Sequence, residues 1–104
     1  MSEDEMSTEE QVTIFKALAS EIRLQLLRSI AEDGPASAPE LEEEVPITPE
    51  SVKNNLDKLE QAGLLESTRV HGPGNRPRDE FSLADGGFEL RITAENGSYT
   101  YDKD

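Results

Sequence analysis

Apolar residues recur at spacings of three and four along the first two thirds of the chain, which is the pattern of amphipathic helices. Capping residues and glycines divide this region into four predicted helices. The first starts after Ser7 or Thr8, the second spans residues 21–32, the third 38–44 and the fourth 49–62. In the first two helices, the apolar positions are Val12, Phe15, Leu18, Ala19, Ile22, Leu24, Leu26, Leu27 and Ile30, and these are expected to face the core.

The fourth predicted helix carries the clearest signals. Thr48 is a suitable N-cap, and Pro49 fits the first helical turn because its missing N–H would have no partner there. Gly63 ends the helix. The apolar positions that share one face are Val52, Leu56 and Leu59. A short helix, a tight turn and a second helix form a helix-turn-helix, so residues 38–62 predict this motif, with 49–62 as its recognition helix.

After Gly63 the pattern changes to strands and turns. Residues 66–71 and 80–83 are predicted strands, and residues 71–79 between them form a Gly/Pro-rich loop. The loop contains Asn75, Arg76 and Arg78. A β-hairpin with a basic tip directly after a recognition helix is a wing, and its arginines are suited to contact sugar-phosphate or the minor groove. The link at 34–37 is extended and is expected to add a minor strand.

The last 21 residues, 84–104, predict a second hairpin. Apolar and polar residues alternate along 88–95, and Asn96-Gly97 is a strong hairpin-turn signal. A turn there would pair Ile92 with Tyr101 and bring both tyrosines onto the apolar face, which packs on the chain's own helices or meets a second subunit. The predicted fold class is therefore α+β: a winged helix-turn-helix of four helices, a β-hairpin wing and a C-terminal β-hairpin.

Length and composition indicate one small domain. With 104 residues, we expect a disordered acidic tail at 1–7 and a single domain at 8–104. No stretch approaches the roughly 20 apolar residues that span a bilayer, and the N-terminus has no signal segment. The chain has no cysteine, which excludes disulfides and thiolate metal ligands. These features predict a cytoplasmic protein without membrane contact.

The net charge of −13 is unusual for a protein that binds nucleic acid. Its distribution is uneven: residues 45–78 hold five basic and four acidic side chains, a net charge of +1, so the remainder carries −14. The segment with the least acidic excess is the one assigned to DNA. An acidic surface of this kind favours a halophilic, haloarchaeal source; the alternatives are an ordinary acidic protein or one that binds a basic partner.

No catalytic or metal-binding constellation is evident. His71 is the only histidine, and a single imidazole without further ligands is more typical of a strand-end surface residue than of a metal site or pH switch. The carboxylates at 42–44 are best explained as a solvated helix face. There is no nucleophile–base pair and no Gly-rich phosphate loop. We therefore expect no enzyme activity, no metal and no cofactor.

Three stretches together resemble the ArsR-like winged helix-turn-helix regulators. Residues 15–28, FKALASEIRLQLLR, are similar to that family's AL-x-x-x-x-R-L-x-I-L helix pair. Residues 48–65, TPESVKNNLDKLEQAGLL, align without gaps to its recognition helix and the AGL that follows. Residues 74–78, GNRPR, resemble its wing. The family's metal sensors use cysteine pairs, which this chain lacks, and many members end in a dimerising helix rather than a hairpin.

The resemblance implies a transcription regulator, usually a homodimer that binds a palindromic double-stranded DNA site. The same face of the recognition helix is rich in side chains that can hydrogen-bond bases and phosphates. Carried over by position, the base-facing residues are Pro49, Glu50, Lys53 and Asn54, and the phosphate-facing residues are Thr48, Ser51 and Asn55. Arg69 at the base of the wing, with Asn75, Arg76 and Arg78, is expected to contact the DNA backbone.

Two other functions stay open at the level of sequence. One is a protein-interaction adaptor that does not bind DNA and docks a partner through its acidic faces or its C-terminal hairpin. The other is a small-molecule sensor, although no pocket is evident from sequence. Target genes, the operator, activation or repression, an effector and the oligomeric state are not specified by these patterns.

Overall fold

The computed structural model describes residues 7–86, 89–92 and 99–102. It confirms the α+β winged helix-turn-helix fold. The four predicted helices are present as α1 (Thr8–Leu18), α2 (Glu21–Asp33), α3 (Ala38–Glu42) and α4 (Pro49–Gln61). Residues 1–6 of the predicted acidic tail lie outside the described residues.

Polar side chains begin the helices as expected. The Ser7 hydroxyl accepts from the Glu10 N–H at 3.1 Å, and the Glu10 carboxylate accepts from the Ser7 N–H at 3.4 Å. This reciprocal capping box satisfies donors that the first helical turn leaves without partners. Helix α3 is two residues shorter than predicted, because the Glu44 N–H donates to the Leu41 carbonyl at 3.0 Å and closes a tight turn.

A three-stranded antiparallel sheet, in the order β1–β3–β2, follows the helices. Its strands are β1 (Ala36–Ser37), β2 (Leu65–His71) and β3 (Pro77–Leu83). The minor strand predicted in the 34–37 link is confirmed, since Ala36 pairs with Phe81. Strands β2 and β3 form the wing hairpin, with Leu65 opposite Leu83.

The core lies between α1–α4 and the inner face of the sheet. Its buried apolar residues are Ile14, Ala17, Leu26, Leu27, Ile30, Leu41, Val45, Val52, Leu56, Leu59, Leu64, Leu65 and Phe81. Ser37 is the one buried polar side chain among residues 7–85, and its hydroxyl donates to Glu40 at 2.9 Å.

Two expectations about the core are wrong. Helix α1 buries Ile14 and Ala17, which were not in the predicted stripe. Of that stripe, Leu18 is half-buried against the core, whereas Val12 is 43% exposed. The apolar residues of this helix are spread over a wide sector, so their spacing fits more than one face and the packing against α2 decides between them. In α2, Leu24 is also 43% exposed, whereas Leu26 is fully buried.

The C-terminal hairpin is present, with a different register. Strands β4 (Glu89–Ile92) and β5 (Tyr99–Asp102) are antiparallel, and Ile92 pairs with Tyr99 instead of the predicted Tyr101. The Asn96-Gly97 turn itself, like Phe88 and Ala94, lies outside the described residues.

Candidate nucleic-acid interface

The recognition helix α4 is anchored by one completely buried face. Val52, Leu56 and Leu59 each have 0% of their surface exposed, as the sequence predicted. The Thr48 hydroxyl caps the helix by accepting from the Ser51 N–H at 3.1 Å. The inward face fixes the rotation of the helix, so the opposite face is presented to solvent.

The end of α4 connects the helix directly to the wing. Gly63 has a φ of 80°, the left-handed conformation that glycine adopts at low cost. With it, the Leu64 N–H reaches the Leu59 carbonyl at 3.0 Å and the Gly63 N–H reaches Glu60 at 2.9 Å, which is a Schellman motif. The Ser67 hydroxyl on β2 also donates to the Glu60 carboxylate at 2.7 Å. Helix and wing are thus joined by a three-residue connection, 62–64, whose conformation is fixed by these hydrogen bonds.

Most of the predicted DNA-contacting residues on α4 are exposed. Those at the surface are Thr48, Pro49, Glu50, Lys53 and Asn54, and Ser51 is half-buried. The Lys53 ammonium has no ion-pair partner among residues 7–85. This surface therefore offers one cation, one carboxylate and one amide.

Asn55 is placed differently from its neighbours. Its side-chain oxygen accepts from the Arg23 guanidinium at 2.9 Å, and its side-chain nitrogen donates to the Ser51 carbonyl at 2.8 Å. Arg23 also donates to the carbonyls of Ala17 at 2.6 Å and Lys16 at 3.3 Å, at the end of α1. Asn55 is therefore already engaged in a network that joins α1, α2 and α4.

The wing is shorter at its tip than predicted. The loop expected at 71–79 is in fact only 72–76, because β3 begins at Pro77 and pairs with His71. Proline is tolerated at the first residue of a strand, so the Gly/Pro-rich composition did not exclude pairing there. Arg76 is exposed in the loop, whereas Arg78 lies on the strand opposite Val70.

Arg78 points back toward the body of the domain. Its guanidinium lies 3.5 Å from the Glu40 carboxylate on α3, and its side chain is 33% exposed. It crosses Gly72 so closely that a Cβ on that glycine would lie 2.8 Å from Arg78 Cδ. The Glu40 carboxylate also accepts from the Ser37 N–H at 3.0 Å. The Ser37 N–H and hydroxyl, opposed by burial and helped by Arg78, hold the pKa of Glu40 below its ordinary value.

Arg69 is paired across the wing. Its Nε lies 3.4 Å from the Asp79 carboxylate, the residue directly opposite on β3, and both side chains are at least half exposed. Such a pair is screened by solvent and contributes little to stability. A phosphate would therefore have to replace Asp79 as the partner of Arg69.

The structure also assembles basic residues that the sequence analysis did not select. Lys16, Arg23 and Lys58 line a cleft of about 420 Å³ between α1 and α4. Lys16 and Arg23 both lie in the motif at 15–28, but Lys58 comes 35 residues after Arg23. The crossing of the helices brings them together.

Other kinds of site find less support. Within the described residues, no group of three or more histidine, cysteine or carboxylate side chains is arranged to hold a metal ion. No helix in this part of the chain has the length and hydrophobicity needed to cross a bilayer. His71 is exposed at the end of β2.

Comparison with known proteins agrees with this geometry. Residues 18–68, about half of the chain, match the protein-family model described as "Helix-turn-helix domain". A search of curated proteins finds no significant match.

Among the solved structures that resemble the chain, two have about a quarter of their aligned residues identical to it. One is the homodimeric winged helix-turn-helix DNA-binding domain of a possible ArsR-family transcriptional regulator from Mycobacterium bovis (TM-score 0.63, 26% identity, 73% of this chain covered). The other is an ArsR-like transcriptional regulator from Rhodococcus sp. RHA1 (TM-score 0.61, 25% identity, 72% covered). The chain spans 65% of the length of each, just under two thirds.

A third structure shares the fold alone. It is a transcriptional regulator homologue from Pyrococcus horikoshii OT3, with a TM-score of 0.58 and 24% identity over 75% of this chain and 78% of that one. By its domain and its fold, the chain is a winged helix-turn-helix protein, and it is similar to solved ArsR-family and ArsR-like regulators, the resemblance that the sequence motifs predicted.

Proposed function

We propose that the protein is a DNA-binding transcription regulator that inserts the exposed face of α4 into the major groove. The observation that supports this most directly is the division of α4 into two faces. Val52, Leu56 and Leu59 are completely buried, while Glu50, Lys53 and Asn54 are left at the surface. A helix that is fixed by its inner face and exposes hydrogen-bonding groups on its outer face is suited to groove recognition.

The contacts have different roles in this proposal. Asn54 would bind adenine through its amide, Lys53 guanine or a phosphate, and Glu50 the amino group of cytosine. Pro49 and the Thr48 cap lie at the end of α4 that enters the groove, and Ser51 is close enough to that end to contact a phosphate. Asn55 acts indirectly, by fixing α4 against Arg23.

The wing adds backbone contacts. Arg76 is exposed beside Asn75 at the tip and has no ion-pair partner among residues 7–85. Arg69 and Arg78 are held by Asp79 and Glu40 and would contact phosphate only by exchanging these partners.

We also propose a homodimer that reads two half-sites about one helical turn apart. It is supported by the homodimeric M. bovis domain and by apolar surface that one subunit leaves in solvent, at Val12 and Leu24. Light scattering at several protein concentrations should give twice the chain mass. A monomer at all concentrations, including those used for DNA binding, would contradict the dimer.

The test of DNA binding starts from a randomised duplex library in concentrated potassium chloride, a condition suited to an acidic protein. Affinity for the selected sequence is then measured for Lys53→Ala and Arg76→Ala. Arg28→Ala is the matched control, because it removes the same charge from an exposed position on α2, outside the interface.

We expect Lys53→Ala and Arg76→Ala each to weaken binding about tenfold, or roughly 1.4 kcal/mol, and Arg28→Ala to change it less than twofold. If the library yields no preferred sequence, or if the three variants behave alike, the proposal fails. The adaptor role, in which the winged helix binds a protein instead, would then be the better explanation.

A further inference from the structure

The cleft between α1 and α4 concentrates positive charge in a strongly acidic protein. It contains three of the ten basic residues of a chain whose net charge is −13. Its volume is about 420 Å³, and no acidic side chain is among its lining residues. The lining residues are Thr13, Lys16, Ala17, Arg23, Lys58, Gln61 and Ala62.

The Arg23 guanidinium that lines the cleft is fixed before any ligand arrives. Three hydrogen bonds hold Arg23, to the Ala17 and Lys16 carbonyls and to the Asn55 side chain. A guanidinium carries five N–H donors, so two remain for a ligand. Because the side chain is already ordered, binding an anion there requires little loss of conformational entropy.

The two lysines have no competing partners in this part of the chain. Neither Lys16 nor Lys58 has a carboxylate within 4.0 Å among residues 7–85. Lys16 comes from α1 and Lys58 from α4, so they approach the cleft from opposite walls. The carboxamide of Gln61 can supply a further donor, and Ala17 and Ala62 provide apolar walls.

We propose that this cleft binds an oxyanion, the phosphate or carboxylate group of a small molecule, between Lys16, Lys58 and Arg23. Resting on the DNA-binding function proposed above, occupancy is coupled to DNA affinity, because Arg23 also holds Asn55 and, through it, the first turns of α4. A phosphate of the DNA backbone presents the same chemistry and is the second source of the anion.

Binding can be tested without DNA. Amide resonances of the ¹⁵N-labelled chain are followed while inorganic phosphate replaces potassium chloride at constant ionic strength. We expect saturable shifts centred on Lys16, Ala17 and Gln61. Lys16→Gln/Lys58→Gln should weaken binding at least tenfold, whereas Arg28→Gln/Lys53→Gln, with the same loss of charge outside the cleft, should change it less than twofold.

The spectra also show whether each variant is folded. Absence of saturable shifts at the cleft, or equal binding by both double variants, would overturn the anion site. This result does not depend on DNA recognition, so it separates failure of the site from failure of the proposed function.

A second measurement distinguishes the two sources of the anion. If the ligand is a free molecule, Lys16→Gln/Lys58→Gln binds the selected DNA like the unaltered chain in phosphate-free buffer, and only the effect of added phosphate on DNA affinity is lost. If the ligand is the DNA backbone, the variant weakens DNA binding itself and phosphate competes with DNA. Phosphate binding that changes DNA affinity in neither way would refute the coupling.

Discussion

The adjacent residues Asn54 and Asn55 offer a sharp test of how α4 is divided between stability and recognition. Both are asparagines of the same helix, and replacing either by alanine changes the intrinsic helix propensity by the same amount, at most about 0.7 kcal/mol in favour of the helix. Any difference between the two variants therefore reports on their side-chain contacts. Asn54 is exposed, whereas Asn55 bonds to Arg23 and to Ser51.

The structure allows the magnitude to be estimated. A hydrogen bond to a charged group contributes about 1.5–3 kcal/mol and a neutral one about 0.5–1.5 kcal/mol. Asn55→Ala removes one of each, both partly buried. After the gain in helix propensity is subtracted, we expect the free energy of unfolding to fall by about 1–4 kcal/mol. Asn54→Ala should leave it unchanged or raise it by a few tenths.

Urea unfolding of both variants measures these changes, and thermal unfolding should show a fall of about 4–8 °C per kcal/mol for a domain of this size. A double-mutant cycle with Arg23→Ala isolates the pair, for which we expect a coupling of about 0.5–3 kcal/mol. We expect the opposite order for DNA affinity: at temperatures where both variants are folded, Asn54→Ala should lower the affinity more than Asn55→Ala. Equal destabilisation by the two substitutions, or a coupling near zero, would refute the reasoning.

Three further predictions follow from the fold. Leu26→Ala should lower the free energy of unfolding by about 2–5 kcal/mol and Leu24→Ala by less than about 1 kcal/mol, since only Leu26 is buried. Glu40→Gln should destabilise the domain at neutral pH, and the deficit should shrink as pH falls below 4.5, because the pKa of Glu40 is lowered in the folded state and its contribution is lost as that carboxylate is protonated. Gly72→Ala should cost about 1 kcal/mol, and less in an Arg78→Ala background that removes the clashing side chain. Urea titrations, repeated across pH for Glu40→Gln, measure all three.

Each of these has a clear contrary result. Similar losses for the two leucine variants would mean that α2 is rotated relative to this structure. If Glu40→Gln lowers the free energy of unfolding equally at every pH, the charge of the Glu40 carboxylate does not cause the loss. If Gly72→Ala lowers the free energy of unfolding equally in the Arg78→Ala background, the new Cβ clashes with the backbone rather than with the Arg78 side chain.

The sequence predicted best where a single feature dominated. Helix α4 has one apolar stripe and strong caps, so its start at Pro49 and its buried residues Val52, Leu56 and Leu59 were predicted correctly, and its end at Gln61 lies one residue before the predicted one. Helix α1 has apolar residues on several sides, and the spacing rule selected Val12 when contact with the other helices buries Ile14. Periodicity identifies a helix, but packing chooses its face when two faces are similar.

Long-range contacts were not visible in the sequence. The Arg23–Asn55 bond joins residues 32 positions apart, and the Arg78–Glu40 pair joins residues 38 apart. Neither follows from local pattern, because both depend on how helices and sheet cross. The length of the loop at the tip of the wing was overestimated for a related reason. Cross-strand pairing extended β3 into a Gly/Pro-rich segment that local composition assigned to the loop.

The pairing of the wing arginines leads to a last prediction, on salt dependence. Arg76 has no carboxylate partner among residues 7–85, so its contact with a phosphate releases a DNA counterion and adds about 0.9 to the slope of log affinity against log salt. When Arg69 contacts a phosphate it leaves Asp79, and the freed carboxylate takes up a cation, which offsets the counterion released. Arg76→Ala should therefore reduce the slope by about 1 per protomer, and Arg69→Ala should leave it nearly unchanged, in titrations of binding against potassium chloride. Equal reductions would show that Asp79 does not hold Arg69 in the free protein.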